Sequence, residues 1–410
     1  MRENGGVIPS AARVREAKIS LRLTFFFMGM AVAATSARFA EIRGHVGVNL
    51  AIFGYGILVG NLGSIVGNLI GAKISLRVGT RRLAQIVMFG VGGSQIAYGF
   101  INAGWQVPIV AFFAGASYSL MNVGCNSQGS MIQEHTGRSL MPSFHGTWSV
   151  GACVSSLAAG FIAKHFSVET HLLVNSLIAI FGVLVVSRAL LPEEVDHQDR
   201  KSNDGVAADE PLPDNIKRFI LFIAFGSLLS SIAEVSVGDW SSILIHDSFG
   251  LSASLATLGY TSFVLAQVIG RLTVGRIIDR LDIPTVIRFG GYLGGAGYFG
   301  GLIAANILKA HHPHGALTAM CIGYAILGLG VSPMPPSYVS VAGSIPGVPT
   351  TRAIARMQII GSAGFLVGRF CISSLAGIYG LTMALFFPAT AIIGCGLLAY
   401  RLDTKRICSA

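Results

Sequence analysis

Two carboxylates, Glu234 and Asp239, stand in SSIAEVSVGDWSS (230–242), directly after the apolar run FILFIAFGSLL (219–229). Arg38 follows a similar run, LTFFFMGMAVAATSA (23–37), and Arg369 interrupts a third. Side chains of these types in such surroundings can carry a proton, pair with one another or hold a polar solute. A charge at the centre of a bilayer costs about 2.5–3.5 kcal/mol even on the lenient insertion scale, so each should face a partner or a wet cavity. Counted at ~1.5 Å per residue from the near end of each apolar run, Glu234, Arg38 and Arg369 lie at about one depth, roughly 23–24 Å in. Glu234 is therefore expected to pair with Arg369 or Arg38, either as a solute-binding or proton-coupling carboxylate or as an ion pair that fixes packing. Asp239, followed by Trp240, is expected to end its helix at the membrane interface, where aromatic residues gather.

A second polar group comprises Asn122, Asn126 and Gln128 on one apolar run and His145 on the next. Amides and imidazole can hydrogen-bond hydroxylated ligands, and histidine titrates near neutrality. An interhelical hydrogen-bond network is an equal alternative. Gln358 is a weaker candidate of the same kind, and Arg271 is expected to snorkel or to support the loop after it.

Other patterns point away from enzymes. GAGYFG (295–300) matches a dinucleotide-binding pattern but lies inside an apolar run, not at a strand-to-helix turn, and is read as helix packing. No G-x-x-x-x-G-K-[ST] sequence occurs, and no nucleophile-plus-base constellation is apparent. His311, His312 and His314 lack acidic or cysteine neighbours, and the six cysteines form no CxxC pair. No metal or cofactor is expected.

The elements that must position these residues are membrane helices. Charged residues make up 12% of the chain against roughly 25% in soluble domains, and mean hydropathy is +0.66. Glycine, at 52 residues, suits close helix contacts in lipid. The net charge of +10 falls in short clusters between apolar runs rather than in a basic stripe, which argues against nucleic acid. Twelve spans are expected, at about 22–41, 50–72, 83–101, 107–130, 143–163, 171–190, 219–239, 254–277, 286–306, 316–341, 354–376 and 381–399. The first is read as a retained span, not a signal peptide. In span ten, SPMPPSYV (332–339) is expected to gate or simply to end the helix.

With the N-terminus inside, 23 Lys and Arg fall on the cytoplasmic side, against Arg38, Arg43, Lys164 and Lys309 opposite, so both termini are expected in the cytoplasm. The acidic stretch 191–218 reads as a solvated linker between six spans and six. The expected organisation is a tail (1–21), a bundle (22–190), the linker (191–218), a second bundle (219–400) and a tail (401–410). An internal repeat at an offset of 203 supports two like halves: Val66-Gly67-Asn68 matches Ile269-Gly270-Arg271, Arg77 matches Arg280, and Gly47 matches Gly250. Paired halves suggest a cavity between them and alternating access.

Two loops then carry a family resemblance. AKISLRVGTRR (72–82) and GRIIDRLD (275–282) resemble the Gly-x-x-x-Asp-Arg-x-Gly-Arg-Arg signature of the major facilitator superfamily. The first copy matches at Arg77, Gly79, Arg81 and Arg82 but has Leu76 in place of the acid. The second matches at Gly275, Asp279 and Arg280 but has Asp282 where glycine is usual. The resemblance implies an all-α membrane protein, with twelve helices in two pseudo-symmetric six-helix bundles, and a charge relay at these loops that stabilises one access state. ARFAEI (37–42), NSQG (126–129), SFHGTWSVG (143–151), GDWSSILI (238–245) and GRLTVGRIIDR (270–280) further resemble a bacterial branch that includes the rhizopine-locus membrane proteins.

The sequence thus points to a monomeric secondary transporter in a bacterial inner membrane, moving a small polar organic solute, sugar- or cyclitol-like, with a coupling proton. An exporter of lipophilic compounds is one alternative. A membrane receptor or assembly partner that has lost transport is another, suggested by Leu76.

Overall fold

The computed structural model describes residues 9–136, 140–192, 213–278, 281–343, 345 and 350–402. Asp279 and Arg280 lie outside these residues, as does most of the 191–218 linker, and the side chains of Leu76 and Gln358 are likewise outside the description. The described chain is helical, without strands.

Span one is Ala11–Ala37, and it breaks at Arg38 before a short helix, Phe39–Val46. Spans two to six are Leu50–Val78, Thr80–Phe100, Gln106–Thr136, Met141–His165 and Val168–Val186. Span seven, Asp214–Ile243, continues through one π-helical turn, Leu244–Ser248, so it does not stop at Asp239 as expected. Spans eight and nine are Ala253–Ile278 and Ile283–Leu308. Span ten is Pro313–Val331 continued by Met334–Gly343, span eleven Thr350–Tyr379, and span twelve Leu381–Ala384 with Phe386–Leu398. Ten of the described helices are long and apolar enough to cross a membrane, and Gly364–Tyr379 is a shorter apolar helix. Span nine is outside those ten; its seven glycines lower its hydropathy.

Helix ends follow local chemistry. Span one begins at Ala11, not near 22, because ARVREAK favours helix. Arg13 also donates to the carbonyl oxygen of Leu190 (3.0 Å), satisfying an acceptor beyond span six. The break in span ten falls at Ser332–Pro333, inside an apolar stretch of 30 residues, so SPMPPSYV does not end the span. Pro335 and Pro336 sit in the first turn of the resumed helix, where their missing amides leave no hydrogen bond unmade.

The repeat has a structural counterpart. Gly47 and Gly250, 203 residues apart, both adopt positive φ (64° and 68°) ahead of spans two and eight. The next equivalent pair diverges. Gly79 turns the chain from span two to span three with φ 78°, whereas its counterpart Asp282 has φ −67° and caps span nine through its side chain. Asp282 Oδ1 accepts from the Thr285 amide at 2.9 Å. Hydrogen bonds from the Thr285 hydroxyl and amide hold the Asp282 carboxyl below the usual range. Glycine is dispensable there because the side chain supplies the stop.

Contacts divide the chain into two compact units. The first holds the chain up to Thr35, Gly56–Ser155 and span six. Its spans two and four touch through bare backbone: Gly63 faces the Phe112 carbonyl and the Ala116 amide, and Gly115 faces the Gly60 carbonyl. Phe25, Met28, Leu83, Met88, Met121, Phe144 and Val183 fill its core. The second unit holds Ser36–Tyr55, Ser156–His165 and everything described from Pro213 onward. Here span nine is the small-residue hub. Gly290 and Gly301 meet Gly330 and Gly323 of span ten, while Gly291 and Gly295 meet Gly396 and Ile393 of span twelve. GAGYFG is therefore a packing face.

A methyl group at Gly63 would overlap the backbone of span four, whereas one at Gly93 meets nothing within 4 Å. Gly63→Ala is expected to lower the melting temperature of the purified protein, by about 1–3 kcal/mol of overpacking. Gly93→Ala should leave it unchanged or raise it. Asp282→Ala should lower it at neutral pH. Because this carboxyl is held below its ordinary range, that difference should persist above the usual carboxylate range and vanish as acid protonates the folded protein. Thermal unfolding in detergent at two pH values reads all three.

Candidate functional site

Several charged residues of the second unit form pairs. Arg38 sits at the break after span one with no exposed surface, and its guanidinium grips Glu41 through Nε and Nη2, the latter at 2.8 Å from Oε1. The two stand three residues apart, one helical turn, so the pair is local. Arg369 on span eleven makes a two-point contact with Asp239 on span seven, Nε to Oδ2 at 2.7 Å and Nη2 to Oδ1 at 3.1 Å. Both members are largely buried, with side-chain exposures of 20% and 10%. Such charge-assisted forks are among the stronger polar contacts.

Neither arginine reaches Glu234, which corrects the expected pairing. Depth alone suggested it, but the direction around the helix decides. Asp239 follows Glu234 by five residues, which turns it about 140° around span seven. Glu234 instead meets span eight. Its Oε1 accepts from Gln267 Nε2 at 2.8 Å, and Arg271 Nη2 lies 3.8 Å from the same oxygen. Gln267 and Arg271 are four residues apart and so share one face of span eight. Arg271 therefore faces a carboxylate rather than snorkelling. The 3.8 Å separation is too long for a hydrogen bond. Glu234 Oε2 has no hydrogen-bond partner among the described residues. Glu234 keeps 27% of its side-chain surface and Arg271 keeps 21%.

Another charge cluster was missing from the sequence reading. Arg43, after the span-one break, pairs with Asp247 in the π turn, and His246 Nδ1 lies 2.9 Å from Asp247 Oδ1. Ser242 of span seven also donates to the Ser36 carbonyl at 3.2 Å. These contacts fasten the end of span one and the short helix Phe39–Val46 to the end of span seven.

Of the first-unit candidates, Gln128 stands apart from the rest. Gln128 is fully buried and clamps three strands of chain: its Nε2 donates to Thr80 Oγ1 (2.7 Å) and the Leu191 carbonyl (3.0 Å), and its Oε1 accepts from the Leu191 amide (3.0 Å). Both of its N–H donors are thus used within the protein. Gln128 lies about 200° around span four from Asn126, so the two face opposite ways. Asn122 donates to the Tyr118 carbonyl of its own helix at 3.1 Å. His145 is exposed, with its ring edge-on to Phe25 at 5.1 Å between centroids. Asn126 differs: its Oδ1 is buried without a hydrogen-bond partner among the described residues. Burial without a partner costs about 1–3 kcal/mol, which marks a group that a ligand could satisfy.

Of the loop signature, Arg77 is exposed at the end of span two, Arg81 and Arg82 begin span three, and Gly79 makes the turn. Gly275 lies in the last turn of span eight. Asp279 and Arg280 are outside the described residues. Among the described residues no group of three His, Cys, Asp or Glu is arranged for a metal.

Comparison with known proteins then places the chain. The profile described as "Major Facilitator Superfamily" matches residues 21–311. The chain belongs to the major facilitator superfamily. An uncharacterized transporter, y4wD, of Sinorhizobium fredii is 29% identical over 86% of this chain and 89% of that protein. The membrane protein MosC of Rhizobium meliloti is 26% identical over 88% and 84%, in keeping with the rhizopine-locus resemblance. Among solved structures, a D-xylose–proton symporter shares the fold with TM-score 0.72 at 14% identity, over 96% of this chain and 99% of that one. This transporter is thus an integral membrane protein of twelve-helix major facilitator architecture, and its relatives are transporters rather than enzymes.

Truncating Arg369 to alanine would leave Asp239 buried without its counter-charge. Arg369→Ala is expected to destabilise the transporter by about 3–5 kcal/mol, with the Asp239→Ala/Arg369→Ala double variant recovering much of the loss. Gln128→Leu should cost about 1–3 kcal/mol by orphaning the Leu191 amide and carbonyl. Unfolding of purified variants checks both.

Proposed function

We propose that this transporter moves a small polar organic solute, sugar- or cyclitol-like, by alternating access, coupled to a proton through Glu234. The observation that carries this reading is the contrast between two carboxylates on one helix. Asp239 is held at two points by Arg369, whereas Glu234 keeps one oxygen unbonded and a loose 3.8 Å approach from Arg271. A carboxylate held at two points stays with its partner, whereas one held through a single oxygen can exchange partners. Protonation of Glu234 would free Gln267 to bind a hydroxyl group of a solute, and deprotonation would recapture it. Gln267 and Arg271 supply the donors that a polyol needs, which favours a polar solute over a lipophile. The D-xylose–proton symporter with the same fold supports both the solute class and the ion.

In this proposal the protein works as a monomer of two six-helix bundles (22–190 and 219–400), in the inner membrane with both termini in the cytoplasm. The break at Ser332–Pro333 supplies a flexible point in span ten, and the loops around Gly79 and Asp282 stabilise one access state.

Uptake of labelled sugars and cyclitols into proteoliposomes under an imposed pH gradient tests the proposal. Wild type should accumulate a polar solute with a rate set by the gradient. Glu234→Gln should keep solute exchange but lose gradient-driven accumulation, by at least about tenfold. A Glu234→Gln variant that accumulates solute with wild-type pH dependence contradicts the coupling role.

A further inference from the structure

Apart from the transport site, the N-terminal ends of spans seven and eleven border a groove of about 330 Å³, lined by Lys217, Ile220, Leu221, Arg356 and Ile360. Two cations from different helices share it with three aliphatic side chains. Lys217 is about half exposed and pairs with Asp214 in its own turn at 2.8 Å. Arg356 is partly buried and pairs with no carboxylate among the described residues. Arg218, also exposed, adds a third positive charge beside Lys217. Like charges placed together with one weakly held acid, itself 82% exposed, lower their energy by taking up an anion.

The surroundings specify which anion. Lys217 and Arg356 lie three and six residues into their helices, about 5 Å and 9 Å along the axis. Long basic side chains near the ends of apolar helices reach toward the headgroup layer. Leu221, 55% exposed, continues the groove toward the apolar part of span seven. A free phosphate would lose hydration against these aliphatic walls for little return. An acyl chain gains by covering them. A guanidinium presents a fork that matches a phosphodiester, and a lysine adds a point charge.

We propose that this groove is a binding site for an anionic phospholipid, its phosphate between Lys217 and Arg356 and its acyl chain along Leu221 and Ile360. Phosphate binding exchanges Lys217 from the exposed Asp214 to the lipid. The site bridges span seven, which carries Glu234, to span eleven, which carries Arg369, so its occupant braces two helices of the second unit.

The test is native mass spectrometry of the purified full-length protein with phosphatidylglycerol, phosphatidylcholine or inorganic phosphate. Phosphatidylglycerol should be retained and the zwitterionic lipid should not. Lys217→Ala/Arg356→Ala should weaken phosphatidylglycerol binding about thirty-fold, from roughly five-fold per basic side chain. Lys217→Arg/Arg356→Lys should retain it. A photoactivatable phosphatidylglycerol on the wild-type protein should label residues 217–221 and 356–360, a readout independent of any variant's folding. Equal retention of both lipids, wild-type affinity in the alanine variant, displacement by millimolar phosphate, or labelling confined to other helices each overturns the proposal.

Discussion

A charge cannot stand alone in hydrocarbon, and that constraint organises the second unit of this transporter. Glu41, Glu234, Asp239 and Asp247 each lie against a basic side chain: Arg38, Arg271, Arg369 and Arg43. Desolvating a charged group costs several kcal/mol, and only a well-formed partner offsets it. Two of the tight pairs join segments, span seven to span eleven and the short helix Phe39–Val46 to the end of span seven. The loose pair holds span seven to span eight. Strength of pairing thus separates the pairs that hold segments firmly from the one held loosely.

The same constraint explains the glycines. Lipid gives no hydrophobic drive for helices to associate, so contact must come from close backbone approach and from polar bonds. Spans two and four meet over Gly63 and Gly115, and span nine meets spans ten and twelve over its glycine face. Where close packing is absent, capping substitutes: Asp282 ends one loop as Gly79 ends its counterpart.

Much of this was legible in the sequence. Apolar run length set the spans, and the 203-residue repeat anticipated the paired left-handed glycines Gly47 and Gly250. The ionisable residues that matter were visible as charges in apolar runs. Their partners were not, because residue count gives depth while pairing depends on direction around the helix. Glu234 and Asp239 differ little in depth yet face different neighbours. Asp239 was read as an interface residue from Trp240, but the helix runs on past it to Ser248. Gln267 left a usable signal, an amide four residues before Arg271 on one face of span eight. Gln128 offered none: its partners, Thr80 and Leu191, are remote in the chain and mostly backbone.

Double-mutant cycles on the unfolding of the purified transporter test most directly whether the carboxylates divide into tightly and loosely held classes. The coupling energy of Asp239 with Arg369 should exceed that of Glu234 with Arg271 several-fold. Equal coupling in the two pairs, or the larger coupling at Glu234, would contradict that division.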